Sequence, residues 1–358
     1  MRKAAILSLS AMLAVVSCMG AMAQETEQNL TEGDVTPVVD EIPEDAVEIA
    51  SAEDLAEVMN NLSAYYVLTA DIDLEGASIT PIGSFVPEGE EGEEAETPSE
   101  ENAFTGTFNG NGHTISNFTV GEEDTWCSGL FGCIANATVE NLTVENASAQ
   151  GTIMVSDVIG YSYCSTVSDV VLKGGSVKAF SSDMSAEGMY GGIVGAGMAS
   201  MLINCEAQAD IEIPDNTANA GIVGGGLEMT SLLNCSAAGS VTAGANCYGL
   251  GGVSGCAFGA EEITGCSAAD VNITAGDGCY WIGGITGYSG GFEDESAGIP
   301  VTAVSDCTTT NVEMNVAEGA EGVDDFVGAG FYNEQVAQAY GAPYDQPTVF
   351  TIENCTAA

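Results

Sequence analysis

Apolar and polar residues follow a six-position pattern that occurs eight times in the chain. An aliphatic residue comes first, Asn, Asp or Gly third, an apolar residue fourth, and a small or apolar residue sixth. The copies are ISNFTV ending at Val120, VENLTV at Val144, VSDVVL at Leu172, LINCEA at Ala207, LLNCSA at Ala237, ITGCSA at Ala268, VSDCTT at Thr309 and IENCTA at Ala357. Alternation over so few residues is typical of a short strand with one buried face.

Two columns of these copies predict buried positions. The first column is aliphatic throughout: Ile115, Val139, Val167, Leu202, Leu232, Ile263, Val304 and Ile352. The fourth column is Phe118, Leu142, Val170, Cys205, Cys235, Cys266, Cys307 and Cys355. Like residues recurring about every 30 positions indicate a solenoid, in which each coil stacks on its neighbour and longer intervals hold surface loops.

Two further elements accompany most copies. A glycine-rich element precedes them: GLFG from Gly129, DVIG from Asp157, GIVG from Gly192, GIVG from Gly221, GVSG from Gly252 and GITG from Gly284. A β-branched element follows them: SVKA from Ser176, DIEI from Asp210, SVTA from Ser240, DVNI from Asp270 and NVEM from Asn311. Each unit thus predicts three short strands per coil, and the coils are expected to stack at about 4.8 Å.

The third column is polar and is not expected to face the interior. It contains Asn117, Asn141, Asp169, Asn204, Asn234, Gly265, Asp306 and Asn354. Asn at a bend can form a ladder, in which each side-chain amide bonds to the next coil. We favour this ladder over the alternative that Asn and Asp are merely tolerated at a bend.

The segment before the repeats predicts a cap for the open end of the solenoid. Ser51 and Asp54 have capping-box spacing, and one helical face holds Leu55, Val58, Met59 and Leu62. A short helix here would cover the exposed edge of the stack. Alternation over Tyr66 to Leu74 predicts the first strand. The Glu-rich stretch 87–101 predicts a disordered acidic loop between coils.

The beginning of the chain predicts export. Residues 1–23 contain a basic start, an apolar run and Ala21-Met22-Ala23, which is typical of a cleaved secretory signal. The alternative is a lipobox over Val15–Cys18, in which Cys18 would carry a lipid anchor. Residues 24–46 are acidic and lack apolar periodicity, which predicts a disordered tether. We predict no transmembrane segment, because the long uncharged stretch 229–260 is too rich in Gly, Ser, Asn and Thr.

The glycine-rich turns followed by Asn- or Cys-containing strands resemble the bacterial GLUG repeat. The lead-in YVLTADIDL…PIG…FTGTFNGNGHTISNFTV is similar to the segment that precedes such repeats in surface proteins. The resemblance covers residues 47–358 and implies a right-handed parallel β-helix on an exported bacterial protein of the adhesin-like kind. The degenerate turn FVGAGF from Phe326 and the long insertions 290–301 and 319–350 depart from the pattern.

The charge balance excludes several classes of partner. The chain has 53 Asp and Glu residues against 4 Lys and Arg, which gives a net charge of −49. Arg2 and Lys3 lie in the predicted signal, so Lys173 and Lys178 are the basic residues of the predicted mature chain. Such a chain repels nucleic acid and anionic membrane surfaces.

The cysteines are expected to be small buried hydrophobes rather than ligands. Twelve are present, but no C-x-x-C occurs, so no metal site is predicted. Disulfides between Cys247 and Cys279, or between Cys127 and Cys133, remain an alternative, because stacked coils bring Cα atoms close enough.

No residue is predicted to be catalytic and no cofactor is predicted. His113 is the single histidine and lies beside a turn, which excludes an HExxH metalloprotease. Acidic pairs occur at Asp71 with Asp73, at 122–124, and at Asp324 with Asp325, but so many acids produce such pairs by chance. Weak calcium binding is a hypothesis for Glu293-Asp294-Glu295 and the Glu-rich loop, since carboxylates are calcium ligands.

Aromatic residues near the glycine turns form the candidate ligand-stacking stripe: Trp126, Tyr190, Tyr248, Tyr280 and Trp281. Such a stripe would stack against sugar rings or a partner peptide. The alternative is that these rings only cover neighbouring glycines. We therefore expect an exported, non-enzymatic binding or adhesion protein with a host or matrix glycan or protein as partner. The alternatives are a spacer of the cell envelope and, less favoured, a polysaccharide-degrading enzyme.

Overall fold

The computed structural model of the protein describes residues 42–85, 98–99, 101–181, 188–260, 262–291, 301–330 and 349–358. The predicted signal 1–23 with Cys18, most of the tether 24–46 and most of the acidic loop 87–101 lie outside the described residues. So do Glu293-Asp294-Glu295 and most of the two long insertions.

Four sheets, called A to D here, account for the architecture. Sheet A has ten strands: Val47–Ile49, Tyr65–Leu68, Thr107–Asn109, Thr138–Glu140, Thr166–Ser168, Met201–Ile203, Ser231–Leu233, Glu262–Thr264, Thr302–Ser305 and Phe350–Glu353. Sheet B has nine: Ile72–Ile79, Thr114–Val120, Thr143–Gly151, Val171–Ala179, Glu206–Ile213, Ser236–Ala243, Ser267–Ala275, Thr308–Asn315 and Thr356–Ala357.

Sheets C and D have seven strands each. Those of sheet C are Phe131–Ala135, Ile159–Tyr163, Val194–Met198, Gly224–Glu228, Ser254–Phe258, Thr286–Gly290 and Val327–Gly330. Those of sheet D are Cys127–Ser128, Met154–Val155, Met189–Gly191, Ala218–Gly221, Tyr248–Gly251, Tyr280–Gly283 and Val323–Asp324. The strand pairs within the four sheets are parallel; one, between Val167 and Leu202 of sheet A, is representative.

The chain passes in turn through sheets D, C, A and B and then begins the next coil, so the described part is a nearly all-β stack of parallel strands, as in a solenoid. The core is a continuous column of aliphatic and small side chains inside the four sheets, with aromatic rings mainly in the first coils. Three strands per coil were predicted, and this was wrong. The glycine-rich element contains a corner, so it belongs to two strands, of which the one in sheet D is only two to four residues long.

The first copy of the repeat was placed in the wrong sheet. Ile115 pairs with Val144 in sheet B, whereas Phe108 is the partner of Val139 in sheet A. Both segments alternate in the same way, so the local pattern does not distinguish the sheets. The other first-column residues do pair in register: Val139, Val167, Leu202, Leu232, Ile263, Val304 and Ile352.

Glycines in sheet C allow close approach to sheet D. A Cβ atom at Gly195 would lie 2.8 Å from the backbone nitrogen of Val155, in the preceding coil. The same column has Gly225, Gly255, Gly287 and Gly328, each against the sheet D backbone of the coil before it. One copy is offset: Val194 pairs with Gly224, so GIVG from Gly221 is shifted by one residue from GIVG at Gly192.

The predicted cap is present as a helix, α1 (Ala52–Glu57), followed by a 3-10 turn (Val58–Asn60). The Ser51 hydroxyl accepts a hydrogen bond from the backbone N–H of Asp54, as a capping residue does. Leu55 and Val58 are buried, but Met59, predicted on the same face, lies in the 3-10 turn and is 42% exposed.

The first predicted strand, Tyr66 to Leu74, is two strands. Tyr65–Leu68 belongs to sheet A and Ile72–Ile79 to sheet B. The chain turns a corner between them, which keeps the alternation of buried residues on both sides. Unbroken alternation therefore conceals corners of the solenoid.

The third-column residues lie at corners in the left-handed backbone region. Their φ values run from 51° at Asn141 to 66° at Gly265 for the residues from Asn141 onward. The predicted amide ladder is present over three coils: Asn204 Nδ2 donates to Asp169 Oδ1 at 3.2 Å, and Asn234 Nδ2 donates to Asn204 Oδ1 at 3.3 Å. Gly265 ends this ladder because it lacks a side chain.

Candidate ligand-binding face

Three of the five predicted aromatic residues come together. Tyr248 and Tyr280 stack with ring centroids 5.3 Å apart and planes 11° apart. The Trp281 ring meets Tyr280 edge-on at 5.0 Å. Tyr288 joins them at 5.2 Å from Trp281. We call Tyr248, Tyr280, Trp281 and Tyr288 the aromatic cluster; its first three members are half-buried and Tyr288 is buried.

The register of sheet D creates this cluster. Ala218, Tyr248 and Tyr280 occupy one column of consecutive coils, so the two phenol rings stack at the spacing of neighbouring strands. Gly249 makes room for the fourth ring, because a Cβ atom there would lie 2.7 Å from Tyr288 Cε1. Burial raises the pKa of Tyr288 well above its ordinary value and raises that of Tyr280 as well.

Tyr288 was missed by the sequence analysis. It directly follows Gly287, the last glycine of GITG, and Tyr161 directly follows Gly160 in the same way. Both tyrosines occupy the same outward-facing column of sheet C, and this shared position after the last glycine could have been used to predict Tyr288.

Trp126 lies in a different cluster. Its ring is 6.4 Å from that of Phe85, which is 5.1 Å from Tyr161. Met154 and Met189 pack against the same group. Among the described residues, Trp126 makes no ring contact with the aromatic cluster, so the predicted stripe is not continuous.

Tyr190 is not available to a ligand. It is 0% exposed, and its hydroxyl donates a hydrogen bond to the backbone oxygen of Thr152 at 2.6 Å. Its column in sheet D faces the core, with Ala220 as its partner in the next coil. The stripe prediction was wrong for this residue because the strand is short and its inward position cannot be read from alternation.

A cavity of about 310 Å³ adjoins the aromatic cluster. The described residues that line it are Gly278, Cys279, Tyr280, Ala317, Glu318, Gly319, Ala320 and Glu321. Its outer wall is a turn in which Ala320 N–H donates to Ala317 O. The turn is fastened to sheet D, because Trp281 N–H donates to Glu321 O at 2.9 Å. An aromatic ring and two exposed carboxylates thus share one concave site.

Three of the acidic residues considered for catalysis, Asp71, Asp73 and Asp324, have structural hydrogen-bond partners. Asp71 accepts hydrogen bonds from the backbone N–H of Thr114 and from the His113 ring, and these lower the pKa of Asp71. The Asn117 amide and the backbone N–H of Glu75 lower the pKa of Asp73. Asp324 accepts from the backbone N–H groups at 326 and 327. These carboxylates hold corners in place.

The repeat cysteines are thiols in the core. Cys205, Cys235, Cys266 and Cys307 are buried, Cys355 is half-buried, and none of the five forms a disulfide. Cys235 donates to the carbonyl oxygens of Leu202 and Leu233 at 3.5 and 3.6 Å. The buried-thiol interpretation of this column is therefore confirmed in the structure.

The two cysteine pairs proposed as disulfides are also thiols in the structure. Cys247 Sγ donates to Pro214 O and Cys279 Sγ donates to Gly244 O, each at 3.1 Å. Cys127 Sγ donates to Gly132 O at 2.7 Å. Burial raises the pKa of Cys247 to about 11. Within the described ranges, no three His, Cys, Asp or Glu side chains converge as metal ligands.

The fold defines the chain as a protein of parallel strands in stacked, solenoid-like sheets. Over 131 residues, 36% of its length, the chain is 39% identical to a segment of Halomucin from Haloquadratum walsbyi. It spans about 1% of the length of that relative. No family model matches the chain. None of the helices in the described part is long and apolar enough to cross a membrane.

Proposed function

We propose that the protein is an exported, non-enzymatic binding or adhesion protein that presents the aromatic cluster to a ligand at the cell surface. The observation that carries the proposal is the stacked pair Tyr248 and Tyr280 with Trp281 against its edge, half-buried on the outside of a rigid stack. Rings held in this way offer apolar area to sugars or peptides at little entropic cost. The proposal includes the GLUG-like repeat and right-handed winding of the coils.

Location at the surface is supported by two observations. The signal-like residues 1–23 favour export. The similarity to a segment of a protein named Halomucin favours a place outside the cell. Lipidation at Cys18 is the alternative form of attachment, and mass spectrometry of the mature N-terminus distinguishes it from free secretion.

A binding role is favoured over an enzymatic one because both members of one candidate acidic pair, Asp71 and Asp73, accept structural hydrogen bonds. New reducing ends or unsaturated uronate released from uronic-acid polymers would contradict the non-enzymatic proposal.

The test is a glycan and matrix-protein array probed with the wild type, Trp281→Ala and Trp126→Ala. Trp126 is a matched control, since it is a half-buried tryptophan in the other aromatic group. We expect binding that Trp281→Ala weakens at least tenfold and Trp126→Ala leaves unchanged, with circular dichroism the same for all three. A blank array together with envelope attachment favours the spacer role instead. Equal weakening of binding by Trp281→Ala and Trp126→Ala would contradict the assignment of ligand binding to the aromatic cluster.

A further inference from the structure

The stacked tyrosines leave one ring face without an aromatic neighbour in their column. Tyr248 covers one face of Tyr280, and the stack runs from coil to coil. Tyr280 lies two residues before Ile282, and Ile282 pairs with Val323 in the next coil. The corresponding residue of that coil is therefore Glu321. The column Ala218, Tyr248, Tyr280 thus continues with a carboxylate instead of a ring.

The cavity lies where Tyr280 of one coil is followed by Glu321 of the next coil in this column. Glu318 and Glu321 are both exposed and both line it, and Tyr280 is the aromatic residue among its described lining residues. Backbone hydrogen bonds hold the acidic turn against the ring: Trp281 N–H donates to Glu321 O and Ile282 N–H to Gly322 O. The backbone that carries Glu318 and Glu321 is therefore held beside Tyr280, within reach of their side chains.

No positive group neutralises this site among the described lining residues. The two described lysines, Lys173 and Lys178, lie on one strand of sheet B, four coils earlier. A π face is negative at its centre and attracts cations, most strongly where water is partly excluded. The Tyr280 ring and the carboxylates of Glu318 and Glu321 therefore all favour a positively charged ligand.

We propose that this cavity binds an organic ammonium group, with the cation over the face of Tyr280 opposite Tyr248 and between that ring and the carboxylates of Glu318 and Glu321. The inference rests on the binding role proposed above and narrows its ligand class. Quaternary ammonium groups and the ends of lysine side chains share this chemistry. A neutral sugar would lack the charge that the site favours.

The test compares a matched pair of ligands at constant ionic strength: choline and 3,3-dimethyl-1-butanol, which replaces the charged nitrogen with carbon. Titrations follow the fluorescence of the whole protein, with Trp126→Phe as the background so that Trp281 reports the site. We expect choline to bind at least tenfold more tightly than the neutral alcohol. A short lysine peptide and its acetylated form then distinguish a protein partner from a free amine.

Three variants locate the site. We expect Tyr280→Leu to weaken choline binding roughly tenfold, within the range of a partly desolvated cation–π contact. Glu321→Gln should weaken it roughly threefold at low salt. Glu313→Gln, an exposed acid on sheet B, is the matched control and should have no effect.

Equal affinity for choline and the neutral alcohol would overturn the proposal, as would equal effects of Glu321→Gln and Glu313→Gln. Because Glu321 is exposed, its replacement tests the site even if Tyr280→Leu does not fold. Failure of choline to bind, with an array still positive and sensitive to Trp281→Ala, would reject the cation site alone. Failure of both experiments would reject the binding role itself.

Discussion

The carboxylate of Asp157 fills the space that a side chain at position 175 would need, since a Cβ atom at Gly175 would collide with Asp157 Oδ2. Ile159 pairs with Val194 in sheet C. Asp157 lies two residues before Ile159, and Gly192 lies two residues before Val194, so Asp157 and Gly192 occupy equivalent positions of consecutive coils. An acidic residue thus replaces a glycine of the repeat and points into the core. It is 0% exposed, and neither oxygen makes a hydrogen bond of standard geometry to the described residues.

This buried acid predicts a pH-dependent loss of stability. Burial raises the pKa of Asp157 well above 3.8, and the nearby backbone N–H groups of Ala149 and Ser176 only partly offset the effect. The folded state therefore keeps a proton that the unfolded state releases. Stability contributed by this group falls as pH rises from about the unfolded pKa to the folded pKa, by about 1.4 kcal/mol per pH unit.

Asp157→Asn should remove this slope. Urea unfolding of the wild type and the variant between pH 4 and pH 7 measures the difference in unfolding free energy, which cancels the contributions of the other acids. We expect the unfolding free energy of Asp157→Asn, relative to that of the wild type, to increase steadily as the pH rises. Parallel curves would show that Asp157 is ionised in the folded state or solvated in a way that the structure does not contain.

Close backbone packing between sheets C and D predicts a strong effect of a single methyl group. A Cβ atom at Gly255 would overlap the backbone nitrogen of Ala220 and lie 2.5 Å from the carbonyl carbon of Asn219. Because neighbouring strands hold both backbones, Gly255→Ala should lose about 3 kcal/mol of unfolding free energy. The measurement is the urea midpoint.

Gly319→Ala is the control for this substitution. Gly319 has open space around it but a φ of 87°, so only backbone strain is added, about 1 kcal/mol. If the two variants lost equal stability, backbone conformation rather than the contact between the sheets would explain the glycines.

The amide ladder predicts a graded response at Asn204. Asn204→Gly keeps the left-handed φ of 52° but loses the bonds to Asp169 and Asn234, which should cost about 1 kcal/mol. Asn204→Ala adds strain in the same backbone region and should lose about 1 kcal/mol more. Thermal unfolding of the two variants checks the order. Equal stability of Asn204→Gly and the wild type would favour the alternative that the residue is merely tolerated.

The repeats and most of their registers were predictable, because aliphatic and thiol columns such as Leu202 with Leu232 repeat the same environment in every coil. The sheet to which a copy belongs was not predictable where two alternating segments follow each other. Phe108 and Ile115 both satisfy the pattern, and only the corner at Gly110 to His113 assigns them to sheets A and B.

The candidate site was predictable only in part. Tyr280 and Tyr190 each lie in or beside a very short strand of sheet D, yet Tyr280 faces outward and Tyr190 inward. A strand of three or four residues is too short for alternation to define its buried face. The turn with Glu318 and Glu321 belongs to an irregular connection, so its position beside Tyr280 depends on hydrogen bonds between coils.

The thiol column predicts that reactivity is confined to its last member. The thiolate is the nucleophile, and hydrogen bonds with neighbouring thiols together with burial raise the pKa of Cys235, Cys266 and Cys307. The pKa of Cys355 is raised as well, but this thiol is only half-buried and so is the most accessible of the column. Within this column, native protein beginning at Gln24 should therefore react with N-ethylmaleimide at Cys355 first, and at the four buried members, Cys205, Cys235, Cys266 and Cys307, only as the coils open.

Peptide mapping after a light reagent under native conditions and a heavy reagent in urea measures this order. Cys355→Ser is the control and should abolish the early label in this column without changing the heavy labelling of Cys235. A disulfide between Cys247 and Cys279 would appear as two unlabelled cysteines and would contradict the thiols seen here. Early labelling of Cys235 would mean that the C-terminal coils open readily, since its sulfur lies inside them with both carbonyl contacts made in the core.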